Sequence, residues 1–220
     1  MKVFVAGATG AIGTQLLPRL VGKGHDVVGM TRSESKQDQV RALGATPVVA
    51  DALDPGRVAE LLATVEPDVI VHQLTAISTP DPRHFVRDFA LTNRLRTEAT
   101  DHMLSAGRAV GIQRFVVQSY CAWPYARVGG PVKSEGDPLD PTPAREMRES
   151  LAAIRHLEAA ARVVTAAGWL GALRRRRARG RDLSRRSCGR RSRAPGPGAV
   201  RARAGAWRRA RREHAGRGSC

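Results

Sequence analysis

Three glycines at three-residue spacing, Gly7, Gly10 and Gly13, fall within the opening run Met-Lys-Val-Phe-Val-Ala-Gly-Ala-Thr-Gly-Ala-Ile-Gly. Glycines in such a run act through the backbone: one makes a turn too tight for a side chain, one lets the main chain approach a phosphate, and one lets a helix pack closely on a strand. Amides at the start of that helix then hold a pyrophosphate. A glycine triplet by itself also serves ordinary turns, so its surroundings decide. Here it follows an apolar β run, Val3-Phe4-Val5, and precedes a helical stretch with Leu16, Leu17, Leu20 and Val21 on one side. A second strand over 26–30 comes next. The arrangement predicts dinucleotide binding, with Thr9, Ala11 and Ile12 completing the loop.

Further candidates lie at the ends of the later strands. Arg32 stands 19 positions beyond Gly13, where an acidic residue would bind the adenosine ribose hydroxyls. An arginine there pairs with a 2′-phosphate, which favours NADP(H) over NAD(H); the competing role is a solvated loop arginine. Asp51 ends the third strand, where it either contacts adenine or starts a turn. Thr75 and Ala76 follow the fourth strand, where their backbone passes close to a nicotinamide ribose. His72, at the end of that buried strand, reads as structural. Asn93 suits the N-cap of a helix over 93–108, with a site contact as the sharper alternative. Ser119 follows strand five and is either a polar substrate contact or a satisfied strand-end serine.

To place those residues the chain alternates strand and helix. Helices are expected over 37–43, 55–65, 93–108 and 145–167. Strands are expected over 46–50, 68–72 and 114–118. Residues 80–90 read as a loop with some helical character. Residues 119–143, rich in Pro, Gly and aromatics, form a long irregular stretch suited to substrate contacts. Repeated β-α alternation without Asn-Gly hairpins predicts an α/β fold, a Rossmann-type doubly wound parallel sheet with helices on both faces.

Over residues 1–171 the chain resembles the short-chain dehydrogenase/reductase superfamily, in its extended branch of nucleotide-sugar epimerases and dehydratases. The resemblance rests on Gly7-Ala-Thr-Gly10-Ala-Ile-Gly13, Asp51, Leu74-Thr75-Ala76, Asn93 and Ser119. It implies a nicotinamide cofactor, NADP with NAD as second choice, and hydride exchange with a carbonyl, an alcohol or a sugar nucleotide. Family chemistry uses a Tyr with a Lys four positions later, the cation lowering the phenol's pKa. Here Pro124 follows Tyr120 at that spacing and Gly129 follows Tyr125. Aligning Glu158 with the family's acidic residue puts Ser150 and Ile154 where Tyr and Lys belong. The remaining catalytic candidates are Ser119 and Tyr125. Tyr120 or Tyr125 could act with Lys133, although packing over cofactor or substrate is the better reading for both rings. Without the usual relay, a non-catalytic dinucleotide-binding module is the alternative.

The 220 residues carry a net charge of +17, which suggests nucleic-acid binding until the charge is located. Residues 172–220 hold 18 Arg, no Lys and two acidic groups, whereas residues 1–171 are nearly neutral with 19 basic and 18 acidic groups. The domain therefore ends near 171, with the sheet truncated after strand five or six and the family's sixth strand replaced. The tail contains no Ile, Phe or Tyr, and its composition predicts disorder. Three origins fit it: a tail for nucleic acid or another acidic partner, a solvated linker, or an out-of-frame reading of a GC-rich gene. The last fits best, because shifted CGN-type codons give arginine without lysine. Cys121, Cys188 and Cys220 show no metal-ligand spacing and no disulfide framework. No stretch is long enough to span a bilayer, so the expected location is the cytoplasm.

Overall fold

Alternate residues of the first strand, β1 (Lys2–Ala6), feed two different cores, and that sets the architecture. Phe4 and Ala6 join one cluster with Met30, Ile70 and Phe115; Val3 and Val5 join a second with Leu17, Val27 and Val40. A strand apolar on both faces belongs inside a parallel sheet covered on both sides by helices. The computed structural model describes residues 1–77, 81–120, 124–130, 132–134, 136–166 and 170–174, with 82, 163–166 and 170–174 described as backbone alone. All lie within one compact unit, Met1–Arg181.

The sheet also contains β2 (Asp26–Thr31), β3 (Thr46–Val49), β4 (Val69–His72), β5 (Arg114–Gln118) and β6 (Leu170–Arg174), in the order β3-β2-β1-β4-β5-β6. Every pairing is parallel, and Ala6 is in register with Met30 on one side and His72 on the other. Strand order reverses between β1 and β4, so a crevice opens beyond their carboxyl ends, where ligands bind in such sheets.

Helices α1 (Gly13–Val21) and α2 (Gln37–Ala42) cover the face of Val3 and Val5 through Leu17 and Val40, both fully buried. Helix α3 (Pro55–Val65) and helix α5 (Glu98–Ala109) supply Leu62 and Met103 to the other core. Each such side chain contributes about 1.5–3 kcal/mol by leaving water. Asp54 caps α3, accepting from the Arg57 amide at 3.0 Å, and proline at the helix start lacks only a donor that would be unpaired anyway. The helix ends at Glu66, which turns left-handed (φ +48°) ahead of Pro67, because a residue before proline is driven out of the right-handed helical region.

One expectation needs correction. The helix expected to open at Asn93 is two helices, α4 (Phe85–Arg96) and α5, so Asn93 sits inside α4 and does not cap it. The break falls at Thr97 (φ −101°, ψ −79°), whose amide and hydroxyl both donate to the Asn93 carbonyl, at 3.0 and 3.1 Å. The sheet ends with a sixth strand, as a sheet truncated after strand five or six allows: β6 pairs with β5 from Arg114↔Leu170 to Gln118↔Arg174. Pairing of this kind needs backbone donors and acceptors, which any composition except proline supplies. Helix α6 (Arg148–Ala166) follows a short 3₁₀ turn at Arg145–Met147. The Arg-rich stretch from 175 onward, with the disorder and partners expected of it, lies outside the described residues.

Candidate active site

The crevice beyond β1 and β4 is a groove of about 270 Å³. Gly7, Thr9 and Gly10 form its loop side, Arg32 and Asp51 one end, and Leu74, Thr75 and Ala76 the other. The three glycines divide their work as geometry requires. At Gly7 (φ +92°) an added Cβ would stand 2.8 Å from the Gln73 carbonyl oxygen. At Gly13 it would stand 2.2 Å from the Gly7 oxygen and 2.5 Å from the Ala8 oxygen, so helix and loop could not both stay. At Gly10 the nearest atom within the protein is 3.4 Å away, an ordinary contact, so the open space above Gly10 is kept for something outside the chain.

Ala11, Ile12 and Gly13 do not line the groove, but they form the turn into α1. Gly10 donates to Gly7 and Thr14 to Gly10, whereas the amides of residues 11 to 13 donate to no backbone carbonyl among the described residues. Free amides at a helix start, above a glycine-lined opening, fit a pyrophosphate. At the adenosine end sequence reasoning missed Ser33 and Lys36. Both line the groove with Arg32, and Lys36 ends a 3₁₀ turn (Glu34–Lys36) that directs the chain back after β2. The available signal was a second cation four residues after Arg32. Asp51 caps its own turn through the Leu53 amide at 3.0 Å while remaining on the groove wall.

At the other end His72 holds the groove floor to α4. The Leu74 amide donates to its Nδ1 at 3.2 Å, so the ring proton lies on Nε2, which donates to the Leu95 carbonyl at 3.1 Å. Burial pushes its pKa from 6.5 down to about 4; the Leu95 bond opposes that and the Arg96 charge adds to it. His72 is therefore a neutral clamp, as its sequence position suggested. The Ala76 amide similarly donates to the Thr92 hydroxyl at 2.9 Å. Gln73 lines the groove with its Oε1 buried and unpartnered, an acceptor left for a ligand.

The expected catalytic residues are not among those that line this groove. Ser119 is buried and donates to Glu158 Oε1 at 2.6 Å, so its hydroxyl faces α6. Tyr125 is buried and its backbone bridges to Leu139 in the long irregular stretch. The Lys133 ammonium donates to the Val128 carbonyl in the same stretch. Asn93 does not line the groove; its Nδ2 donates to Ser150 Oγ at 3.1 Å and its Oδ1 is buried without a partner. Ser150 and Ile154 are 1% and 0% exposed, so the family's Tyr and Lys positions are filled by small or apolar side chains packed into the protein.

A six-stranded parallel sheet with a glycine loop at its switch point defines a dinucleotide-binding Rossmann protein. Residues 3–161 match the family model described as the NAD dependent epimerase/dehydratase family, and the chain belongs to that family. It is 43% identical over 141 residues to a 3-diazoavenalumate denitrifying reductase of a Streptomyces species, an alignment covering 63% of this chain and 44% of that protein. It is 30% identical over 146 residues to a UDP-glucose 4-epimerase of Mycolicibacterium smegmatis, covering 64% and 45%. The chain thus spans less than half the length of these relatives. Among solved structures, UDP-glucose 4-epimerase of Thermus thermophilus with NAD superposes with a TM-score of 0.64 at 21% identity, over 77% of this chain and 52% of that one. The Brucella ovis UDP-glucose 4-epimerase with NAD gives 0.61 at 26% identity, over 79% and 51%.

Proposed function

We propose that this chain is the cofactor-binding part of an NADPH-dependent reductase acting on a small electrophilic substrate, of carbonyl or diazo type. The observation that carries the cofactor choice is the clustering of Arg32, Ser33 and Lys36 on one wall of the groove. Two cations and a hydroxyl there complement a 2′-phosphate, and Arg32 stands at the position after β2 where a carboxylate would hold ribose hydroxyls. The cofactor, when bound, supplies a hydride from its nicotinamide ring. Gly10 and the amides of Ala11 to Gly13 receive its pyrophosphate, and Leu74 to Ala76 flank the nicotinamide ribose.

Reduction is favoured over epimerisation by what stands at the relay. Oxidising a sugar alcohol requires a base to remove the hydroxyl proton as hydride leaves. Ser150, buried against Asn93 with Ile154 one turn on, cannot provide that base. Reducing an electrophile reverses the demand, and water can deliver the proton. The likeness to a denitrifying reductase points the same way. A second reading, a dinucleotide-binding module without turnover, is favoured by that same filled relay.

Titration of the full chain decides the cofactor. NADPH is expected to bind at least about tenfold tighter than NADH, and Lys36→Ala and Arg32→Ala are each expected to erase most of that margin. Equal affinities for the two cofactors would sink the NADP assignment. Substrate-dependent loss of NADPH absorbance separates the reductase from the module.

A further inference from the structure

Arg96 closes α4 with its side chain 5% exposed, and its Nη1 is buried without a hydrogen-bond partner. Its guanidinium lies over the Tyr120 ring, with Cζ 5.6 Å from the ring centroid. Burial pulls its pKa down to about 10, opposed by the attraction of Tyr120, so it remains a cation at neutral pH. A cation enclosed in protein normally faces a counter-charge; stacking on an aromatic ring offsets only part of the cost.

Its neighbours border both the groove and the relay, while Arg96 itself is not among the groove's lining residues. The preceding residue, Leu95, lines the groove and accepts from His72. Asn93, one turn back on α4, holds Ser150 at the family's Tyr position. Tyr120 follows Ser119 beyond the carboxyl end of β5. We propose that Arg96 is an anchor for a carboxylate on the substrate, gripped by the edge of the guanidinium while Tyr120 supports its face. The proposal rests on the reductase reading and names the class of substrate it acts on.

A carboxylate suits this position better than a phosphate group. A planar fork with one face covered offers paired donors at its edge, the geometry that a carboxylate accepts. The buried Oδ1 of Asn93, also unpartnered, offers an acceptor one turn away for a donor on the same ligand.

The test uses the full chain loaded with NADP⁺ and three probes: sodium benzoate, benzamide and phenyl phosphate, followed by calorimetry and thermal melting. Benzoate is expected to bind and to raise Tm. R96M is expected to lose at least about tenfold in benzoate affinity and all of that Tm rise, while holding NADP⁺ as the wild type does. Benzamide binding as well as benzoate, phenyl phosphate binding more tightly, or R96M retaining benzoate would each overturn the anchor. Should R96M not fold, R96K decides, because it keeps the charge and loses the fork: benzoate weakened at least about fivefold supports the proposal, and unchanged affinity defeats it. The NADPH and NADH titration of the wild type reads the cofactor proposal on its own, so the two can fail separately.

Discussion

The groove and the relay both border α4, where Leu95 lines the one and Asn93 holds Ser150 of α6 in the other, yet they are built on opposite terms. The loop side of the groove is backbone, with Gly7 and Gly10, and the turn beside it carries the amides of residues 11 to 13, which donate to no backbone carbonyl among the described residues. The relay is made of side chains, and here Ser150 and Ile154 replace a phenol and an ammonium. A backbone site tolerates sequence change wherever glycine is kept. A side-chain site is lost with one or two substitutions, while the helix that carried it still packs. Cofactor binding and turnover are therefore separable properties in this fold.

That contrast is sharpest at the glycines. Gly13→Ala forces a methyl group into the Gly7 and Ala8 carbonyls and is expected to cost about 3 kcal/mol or more in chemical denaturation, with cofactor binding lost alongside. Gly10→Ala meets no such neighbour; its stability should stay within about 0.5 kcal/mol while cofactor affinity falls about tenfold or more. If both variants lose stability alike, the space over Gly10 is internal packing and the division of roles among the glycines fails.

Acid attacks the junction between the two regions. The folded chain keeps His72 neutral down to about pH 4, whereas the unfolded chain binds that proton near 6.5. The unfolded state then holds more protons throughout the window, so stability falls as pH drops from about 6.5 toward 4. The loss should reach about 3 kcal/mol, and His72→Gln should flatten that part of the pH profile in urea unfolding.

Smaller effects belong to the relay side. Ser119→Ala removes the hydroxyl that Glu158 accepts from and should destabilise by about 1–3 kcal/mol, leaving the NADPH dissociation constant unchanged. A change in cofactor affinity without loss of stability would instead put Ser119 at the nicotinamide.

Legibility in the sequence followed the same division. The glycine spacing and the apolar β runs announced β1, the loop and the switch point, because glycine and period-two burial have few other uses. The α3 bounds were readable from Pro55 and Glu66-Pro67, and the groove wall from Arg32, Asp51 and Leu74 to Ala76. What escaped depends on tertiary placement. The helical pattern is interrupted at Thr97 by a local backbone departure (φ −101°, ψ −79°), which hydrophobic spacing does not register. For Ser119 the sequence left a substrate contact and a satisfied strand-end serine both open, and only the packing of α6 supplies Glu158 as the acceptor of its hydroxyl. Lys36 reaches the groove through the path of a three-residue turn, and Arg96 is buried although arginine at a helix end usually reads as solvated.

The clamp at His72 gives the groove floor a mechanical property as well. The Leu74 and Ala76 amides are held by the side chains of His72 and Thr92, with no strand ladder at those two positions. Their hydrogens exchange with solvent only when those side chains release them, so the loop opens with His72 of β4 and Thr92 of α4. A ligand that stiffens the helix at Asn93 and Arg96 would slow deuterium uptake at residues 74 and 76 without touching either, and cofactor seated on the loop would return the effect to the helix.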